Sequence, residues 1–220
     1  MENITEICDF AAQNEIFVRL DMEDHRVTQD TIDVVLEMHS RGFKNVGCVL
    51  QSRLFRTRTD IEFLSEKLVG YADFRLCKGI YLEPEEIAHT EYQPIVDAFC
   101  LDINHALDLD AYVGIASHDL PIINHAKMAL ELRNLGPNKK DERKTSPKDR
   151  NGKGPGYEFQ FLLGVRGNIR RKLAEEGHRT RVYVPYGEQW YEYSMRRLRE
   201  NPDIAWHVFK AMIFPWTNRR

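Results

Sequence analysis

The sequence predicts an α/β protein of the TIM-type (βα)8 barrel class, incomplete, with six recognisable βα units. Short apolar segments alternate with segments whose apolar residues have helical spacing, which is typical of a parallel sheet covered by helices. Polar side chains follow the predicted strands at their carboxyl ends, where TIM barrels place their catalytic groups. No strand is followed by G-x-G-x-x-G or G-x-x-x-x-G-K-[ST], which disfavours a Rossmann or P-loop fold.

Each element follows from local signals. Helical segments end at glycines such as Gly42 and Gly70, and Pro121 lies in the first turn of the helix that Gly136 follows. The predicted strands are, in order, EIFVRLDMED, NVGCVLQ, DFRLCKG, YVGIASHD, YEFQFLLG and RVYVPYG. The predicted helices are ENITEICDFAAQ, TIDVVLEMHSRG, DIEFLSEKLVG, IVDAFCLDINHALDL, LPIINHAKMALELRNLG, a helix from Asn168 to Glu176, and helices around Arg196 and Phe209.

The length, charge and cysteine content of the chain narrow the class of protein to which it can belong. The chain has 220 residues and a net charge of -3, so it can form one substantial core, and no global charge indicates a nucleic-acid partner. Four scattered cysteines without a CxxC pair predict reduced, mostly buried thiols of an intracellular protein. No signal peptide is expected, and no apolar run reaches the roughly 20 residues of a membrane span.

We expect a single barrel domain over residues 1–220 with two appended features. Residues 137–156 carry seven basic and three acidic residues and predict a flexible polar insertion, or alternatively a basic patch for an anionic membrane surface or a partner. Residues 203–220 predict a C-terminal helix and tail that docks on the barrel, or alternatively contacts a membrane surface.

The count of units leaves a gap at the N-terminal side. A complete barrel has eight βα units and about 250 residues, so six units leave two unaccounted for, and we expect both to be missing before Met1. Such a barrel would expose strand edges. Two explanations are open: a shortened form that closes differently, for example as a homo-oligomer, or a misassigned start codon.

The stretch from Arg181 to Pro202 combines aromatic rings with adjacent arginines. On its helix Tyr193, Arg196 and Arg197 share one stripe. Glu200 extends this stripe and can brace a guanidinium three or four residues earlier. Two guanidiniums that converge on a carboxylate give a selectivity that lysines lack, so the pattern predicts a pocket for an apolar ligand with a negative charge. Surface salt bridging is the alternative.

Strand ends supply further candidates. The carboxylate of Asp21 could accept a hydrogen bond from a ligand or cap the next helix. Arg75 and Lys78 would share a site only if their strand ends near Cys77. A metal role for His118 is disfavoured because no second histidine lies at a matching offset, so we expect no metal site.

Seven motifs occur in the order in which they occur in proline dehydrogenases, and the sequence resembles that family from Asn3 to about Pro202. The resemblance implies a flavin-binding (βα)8 barrel, with FAD rather than FMN, that oxidises L-proline to 1-pyrroline-5-carboxylate and passes electrons to a quinone. It also implies a cytoplasmic location, free or peripheral on the inner face of the respiratory membrane. The motifs are RLDMED, VLQSRLFR, RLCKGIYLEP, SHD, YEFQFLLGVR, RVYVPYG and MRRLRENP.

The resemblance also assigns roles, motif by motif. Asp21 and Arg75 would be the catalytic residues. The residues that would contact proline are Tyr81, Tyr183, Tyr193, Arg196, Arg197 and Glu200. The residues that would contact the flavin are Met22, Gln51, Lys78, Gly79, Ile80, Ser117 and His118.

The sequence departs from the family pattern at several positions. Ser117 stands where members normally have threonine, and Arg53 where many have tyrosine. A lysine that members use near the substrate would lie in the absent strands. Two other functions therefore stay open: a truncated barrel that binds flavin or proline without turnover, and a flavin barrel reductase with another substrate.

Overall fold

The computed structural model describes residues 1–145, 156–184, 186–188 and 195, and in them strands and helices alternate. The strands are β1 (Val18–Leu20), β2 (Val46–Gln51), β3 (Asp73–Cys77), β4 (Tyr112–Ala116), β5 (Tyr157–Leu162) and β6 (Thr180–Tyr183). The α-helices are α1 (Glu2–Gln13), α2 (Thr28–Ser40), α3 (Thr57–Lys67), α4 (Tyr92–Asp108), α5 (Leu120–Leu132) and α6 (Gly167–Glu175).

The chain divides into two compact units, Met1–Glu158 and Phe159–Arg220. In the first unit β1, β2, β3 and β4 are parallel neighbours in chain order. The N–H of Val113 in β4 donates to the carbonyl of Gly156, directly before β5. In the second unit β5 pairs with β6 in parallel, and α6 connects them. Helix-linked parallel strands confirm the predicted α/β class and its six strands.

Burial explains why the central strands form where the sequence predicts them. Every residue of β2 is buried, as expected for a strand of a parallel sheet covered on both faces. On β3 the side chains of Phe74 and Leu76 are fully buried. Helix α4 presents Ile95, Phe99 and Ile103 at helical spacing, and all three are buried. The first unit therefore has a core of its own.

The segment after β1 differs from the prediction. β1 ends at Leu20, and a short 3-10 helix that the sequence did not predict, His25–Val27, follows. Its N-cap is Asp24, whose carboxylate accepts a hydrogen bond from the N–H of Arg26. The alternative of Asp21 as a helix cap is therefore wrong. The predicted helix ends are confirmed at Gly42 and Gly70, whose φ angles of 96° and 78° suit glycine.

The four cysteines are free thiols, as predicted, and two of them, Cys8 and Cys48, are buried. Desolvation raises the pKa of the buried Cys48 to about 12 and that of the half-buried Cys77 to about 11, so both thiols stay protonated near neutral pH. Within the described ranges no helix is both long and apolar enough to cross a membrane.

Three predictions on domain organisation stay predictions. Residues 146–155 of the expected polar insertion and the whole C-terminal segment 203–220 lie outside the described residues. Of the helix expected around Arg196, only Met195 is described, and its conformation is helical. A single barrel domain over 1–220 is likewise still a prediction.

Candidate functional site

The register of the parallel strands brings polar residues to one edge of the first unit. Gln51 at the end of β2 lies opposite Cys77 at the end of β3, and Cys77 lies opposite Ala116 at the end of β4. The residues that follow, Lys78 and Ser117, therefore emerge at the same carboxyl edge. This is the edge at which barrels of this class carry their chemistry.

Two predicted catalytic residues meet at this edge. Nη1 of Arg75 donates to Oδ1 of Asp21 at 2.5 Å. The Asp21 side chain is 54% exposed and that of Arg75 only 18%, so the arginine holds a carboxylate that a ligand can still reach. A carboxylate with one oxygen on a guanidinium keeps its other oxygen for a second donor.

A second ion pair lies directly beneath this one. Arg19 precedes Asp21 by two residues and Asp73 precedes Arg75 by two, so both pairs use the same faces of β1 and β3. Arg19 bonds to the carboxylate of Asp73, and its Nη1 also donates to the carbonyl of Asp73 at 2.8 Å. Between them, Gly47 of β2 leaves the necessary space, because a Cβ there would lie 2.4 Å from the Asp73 carbonyl oxygen. The Asp73 side chain is fully buried, so this second pair is shielded from solvent and supports the exposed pair above it.

Gln51 and Gly79 form a polar recess next to these pairs. The Gln51 side-chain amide donates to the carbonyl of Glu23 at 2.5 Å, which orients its Oε1 toward Gly79. Gly79 has a φ of 95°, and a Cβ there would lie only 2.5 Å from that oxygen. The residue Gln51 is 2% exposed, and its Oε1 has no hydrogen-bond partner among the described residues. A buried unpaired amide oxygen beside bare backbone is a place for a ligand N–H.

Lys78 and the segment after β4 form the opposite side of the edge. Nζ of Lys78 donates to Oδ2 of Asp119 at 2.7 Å and lies 5.3 Å from the ring centroid of Tyr92. Ser117 is buried, and its Oγ accepts a hydrogen bond from the Asp119 N–H at 3.1 Å. Arg75 and Lys78 therefore share this edge, as expected for a strand that ends at Cys77, but they bond to different carboxylates.

The connections after β1 and β3 are tied together. The hydroxyl of Tyr81 donates to the Glu23 carboxylate. Two residues further along each connection, the ring Nδ1 of His25 lies 2.5 Å from Oε2 of the buried Glu83, and the His25 N–H donates to Oε1 of the same residue. These paired contacts hold the two connections in one conformation.

Three other predicted flavin residues lie in the connections after β1, β3 and β4. Met22 is buried, and its Sδ accepts a hydrogen bond from Thr28 Oγ1 at 3.4 Å. Ile80 is 43% exposed and His118 is half-buried. No group of three or more His, Cys, Asp or Glu side chains in residues 1–145, 156–184 and 186–188 is placed to hold a metal ion.

The predicted proline-binding residues are only partly described. Tyr81 belongs to the first unit and lies at the edge just described. Tyr183 belongs to the second unit, where its carbonyl accepts a hydrogen bond from the Leu163 N–H. The other four, Tyr193, Arg196, Arg197 and Glu200, lie outside the described residues.

Several residues of this edge were not predicted as site residues. Asp119 directly follows His118, a predicted site residue, so its position after a strand could have identified it as a site residue. Arg53, Glu83, His25 and Tyr92 carry no such signal, since their contacts depend on how the connections fold.

The edge fits a flavin on two observations from these residues. The isoalloxazine ring presents N–H and carbonyl groups along one side, and the unpaired Oε1 of Gln51 matches such a donor. The absent side chain at Gly79 leaves backbone that a flat ring can approach closely. Gln51, Gly79 and Lys78 are the described residues that would hold it.

Comparison with known proteins agrees with these expectations. Proline dehydrogenase 2 of Bacillus subtilis (strain 168) is 34% identical over 211 residues, which cover 96% of this chain and 63% of that protein. The proline dehydrogenase of Deinococcus radiodurans is 34% identical over 202 residues, which cover 90% of this chain and 57% of that protein. The chain thus spans about three fifths of the length of the curated relatives it matches.

Solved structures show the same fold. Proline utilization A (PutA) from Bdellovibrio bacteriovorus, inactivated by N-propargylglycine, superposes with a TM-score of 0.71 at 23% identity, over 85% of this chain and 20% of that chain. A mutant PutA from Bradyrhizobium japonicum gives a TM-score of 0.72 at 18% identity, over 89% of this chain and 20% of that chain. These likenesses confirm an incomplete TIM-type barrel fold. The profile of the family described as proline dehydrogenase matches residues 3–208, and the chain belongs to that family.

Proposed function

We propose that this chain carries out the flavin-dependent oxidation of L-proline to 1-pyrroline-5-carboxylate. Family membership supports proline as the substrate class. The observation that carries the proposal is the recess at Gln51 and Gly79, where a buried amide oxygen lacks a partner among the described residues. It lies at the same strand-end edge as the Asp21–Arg75 pair, so a flavin and a reacting carbon would meet there.

The reaction requires the protein mainly to bind the substrate and the flavin and to orient them toward each other. Proline is oxidised when a ring C–N single bond becomes C=N, with loss of two electrons and two protons. A bound flavin supplies the acceptor for the electron pair. The residues of the chain then have to fix the substrate ring close to that acceptor and exclude water.

Asp21 and Arg75 suit the amine end of the substrate. Arg75 fixes one carboxylate oxygen of Asp21, and the half-exposed carboxylate offers its other oxygen to the substrate N–H groups. A carboxylate close to the substrate nitrogen would favour its positive charge and orient the ring. Arg75 would in addition place a positive charge near the flavin, which favours a reduced, anionic ring.

Lys78 suits the cofactor. Its ammonium group is bound to Asp119, and about a third of its side chain stays exposed. It would donate to a flavin phosphate or ring carbonyl. The substrate carboxylate is assigned to Arg196 and Arg197, with Glu200 as their support, because paired guanidiniums recognise a carboxylate in a defined geometry.

Two finer points of the proposal rest on the family resemblance: FAD rather than FMN as the cofactor, and a quinone as the electron acceptor. Contact of residues 203–220 with a membrane surface rests on the apolar pattern of that segment. Closure of the barrel by a second copy of the chain rests on the count of six βα units against the eight of a complete barrel. The chain spans 63% of the length of Bacillus subtilis proline dehydrogenase 2, and the complete reaction is part of the proposal.

The test is the visible spectrum of the purified chain after incubation with FAD, recorded without oxygen before and after addition of L-proline. We expect a bound yellow flavin that L-proline bleaches and that a soluble quinone re-oxidises. D-proline serves as the stereochemical control.

The other functions give different spectra. A chain that binds flavin but is not bleached by L-proline would be a binding protein without turnover. Bleaching by another donor only would indicate a reductase of different specificity. A chain that takes up no flavin would overturn the proposal. Replacement of Arg196 or Arg197 should weaken proline binding and leave the flavin in place.

A further inference from the structure

Arg53 is a buried arginine in the connection between β2 and α3, two residues after Gln51. It is 9% exposed. Its N–H donates to the carbonyl of Lys78 at 3.1 Å, and Nη1 of its guanidinium donates to the carbonyl of Tyr81. One residue thus holds both ends of the Lys78–Tyr81 segment, which carries three predicted cofactor residues and one predicted substrate residue.

The stem of Arg53 also packs against the middle of this segment. A Cβ added at Gly79 would lie 2.9 Å from Cδ and 3.0 Å from Cγ of Arg53. The same Cβ would lie 2.5 Å from Oε1 of Gln51. Gly79 is therefore enclosed between the arginine stem and the amide that we assign to the flavin, so a shift of Arg53 would change the shape of the recess.

The charge of Arg53 points to a role other than an ion pair. In the described part of the chain the guanidinium of Arg53 bonds to the Tyr81 carbonyl and to no carboxylate, and its buried Nε has no hydrogen-bond partner. A buried guanidinium without a carboxylate is unfavourable for folding unless its N–H groups are hydrogen-bonded to other acceptors. The acceptor that the structure provides is a main-chain carbonyl, and a charged donor holds a carbonyl more strongly than a neutral donor does.

We propose that Arg53 is a positioning residue that holds the Lys78–Tyr81 segment in the conformation that accepts the flavin. This inference rests on the proposed function. Arg53 acts through the segment and makes no contact with the flavin phosphates. Its loss should therefore weaken the binding of every flavin by the same factor.

The experiment compares Arg53→Met and Arg53→Lys with the wild-type chain and with Arg56→Met. Arg56 is the matched control, because it lies three residues away, is 39% exposed at its side chain and pairs with Asp60 within its own turn of helix. The dissociation constants of FAD, FMN and riboflavin are measured by fluorescence quenching, and the visible circular dichroism of the bound flavin reports its environment.

We expect R53M to weaken all three flavins by about tenfold or more, because a charge-assisted hydrogen bond to the segment is lost. R53K keeps the stem and the charge, so it should fall between R53M and the wild type and partly restore the dichroism. R56M should bind like the wild type. If R53M does not fold, R53K alone decides, since it should still bind all three flavins more weakly than the wild type.

Two outcomes would overturn the inference alone. Unchanged affinities in R53M and R53K would show that the segment does not depend on Arg53. A loss confined to FAD and FMN, with riboflavin unaffected, would place the guanidinium on a phosphate instead. If the wild-type chain bound no flavin at all, the proposed function would fail and the inference with it.

Discussion

Arg75 on β3 and Asp21 beyond the end of β1 form an ion pair in which Nη1 lies 2.5 Å from Oδ1. The two strands are not neighbours, because β2 lies between them in the sheet. The pair therefore bridges over β2, and the Arg19–Asp73 pair bridges it a second time at the level of Gly47. The exposed pair is available for chemistry, and the buried one supports it.

Arg75→Met should lower kcat/KM for L-proline by about 10- to 100-fold, because Asp21 loses the charged donor that orients it. Steady-state kinetics with a quinone analogue measures the effect. Arg41→Met is the control, since Arg41 forms a surface pair with Glu37 on α2. Wild-type kcat/KM in R75M would contradict the role of this pair.

Asp73→Asn should lower the free energy of unfolding by about 3–5 kcal/mol, because it leaves Arg19, whose side chain is only 10% exposed, without its carboxylate. Urea denaturation followed by circular dichroism gives the value. Asp33→Asn on the exposed face of α2 should stay within about 0.5 kcal/mol of the wild type. A loss below about 1 kcal/mol in D73N would show that the buried pair behaves like a surface pair.

Gly79→Ala should abolish most flavin binding, because the new Cβ would collide with Gln51 Oε1 and with the stem of Arg53. Gly42→Ala is a close control: its φ of 96° matches the 95° of Gly79, but no atom lies within 4 Å of the added Cβ. Both variants carry the same strain of a positive φ, about 1 kcal/mol. Only G79A should raise the dissociation constant of FAD. Equal FAD affinities in the two variants would rule out the recess.

Asp102 on α4 should make the stability of the chain depend on pH. Burial raises the pKa of Asp102 to about 6, against an ordinary value of 3.8, and the nearest cation, Nη2 of Arg58, lies 3.6 Å away. Because the folded state holds this proton more tightly, its contribution to stability is full below about pH 4 and is lost as the pH rises through about 6.

Asp102→Asn should remove that loss. The free energy of unfolding of D102N relative to the wild type should therefore rise between about pH 4 and pH 6, by about 3 kcal/mol, and then level off. Urea denaturation at a series of pH values measures it, with Asp97→Asn on the exposed side of α4 as control. Parallel curves for D102N and the wild type would refute the raised pKa.

The strands were predictable where burial leaves one interpretation. NVGCVLQ has no polar side chain from Val46 to Leu50, and the strand occupies Val46–Gln51. The first predicted strand was too long, because the acidic residues after Leu20 look like a strand end but serve distant contacts. Asp21 bonds to Arg75, 54 residues away, and no local sequence pattern predicts such a distant partner.

The site was predictable to the extent that it follows from strand ends. Gln51, Lys78 and Ser117 come together because parallel strands finish at one edge. The partner of Lys78 lies 41 residues away at Asp119, and that contact depends on the course of two connections. The same holds for Arg53, which the sequence marks only as a departure from the family pattern.

The reversed order of charges on β1 and β3 has a consequence for how the chain folds. A slip of β1 by two residues would keep the same side chains facing the core, so the apolar pattern does not oppose it. Such a slip would bring Arg19 toward Arg75, or Asp21 toward Asp73, and like charges would then meet in a poorly solvated place. The two ion pairs therefore favour a single register of β1 relative to β3, and the residues proposed for catalysis help to set that register.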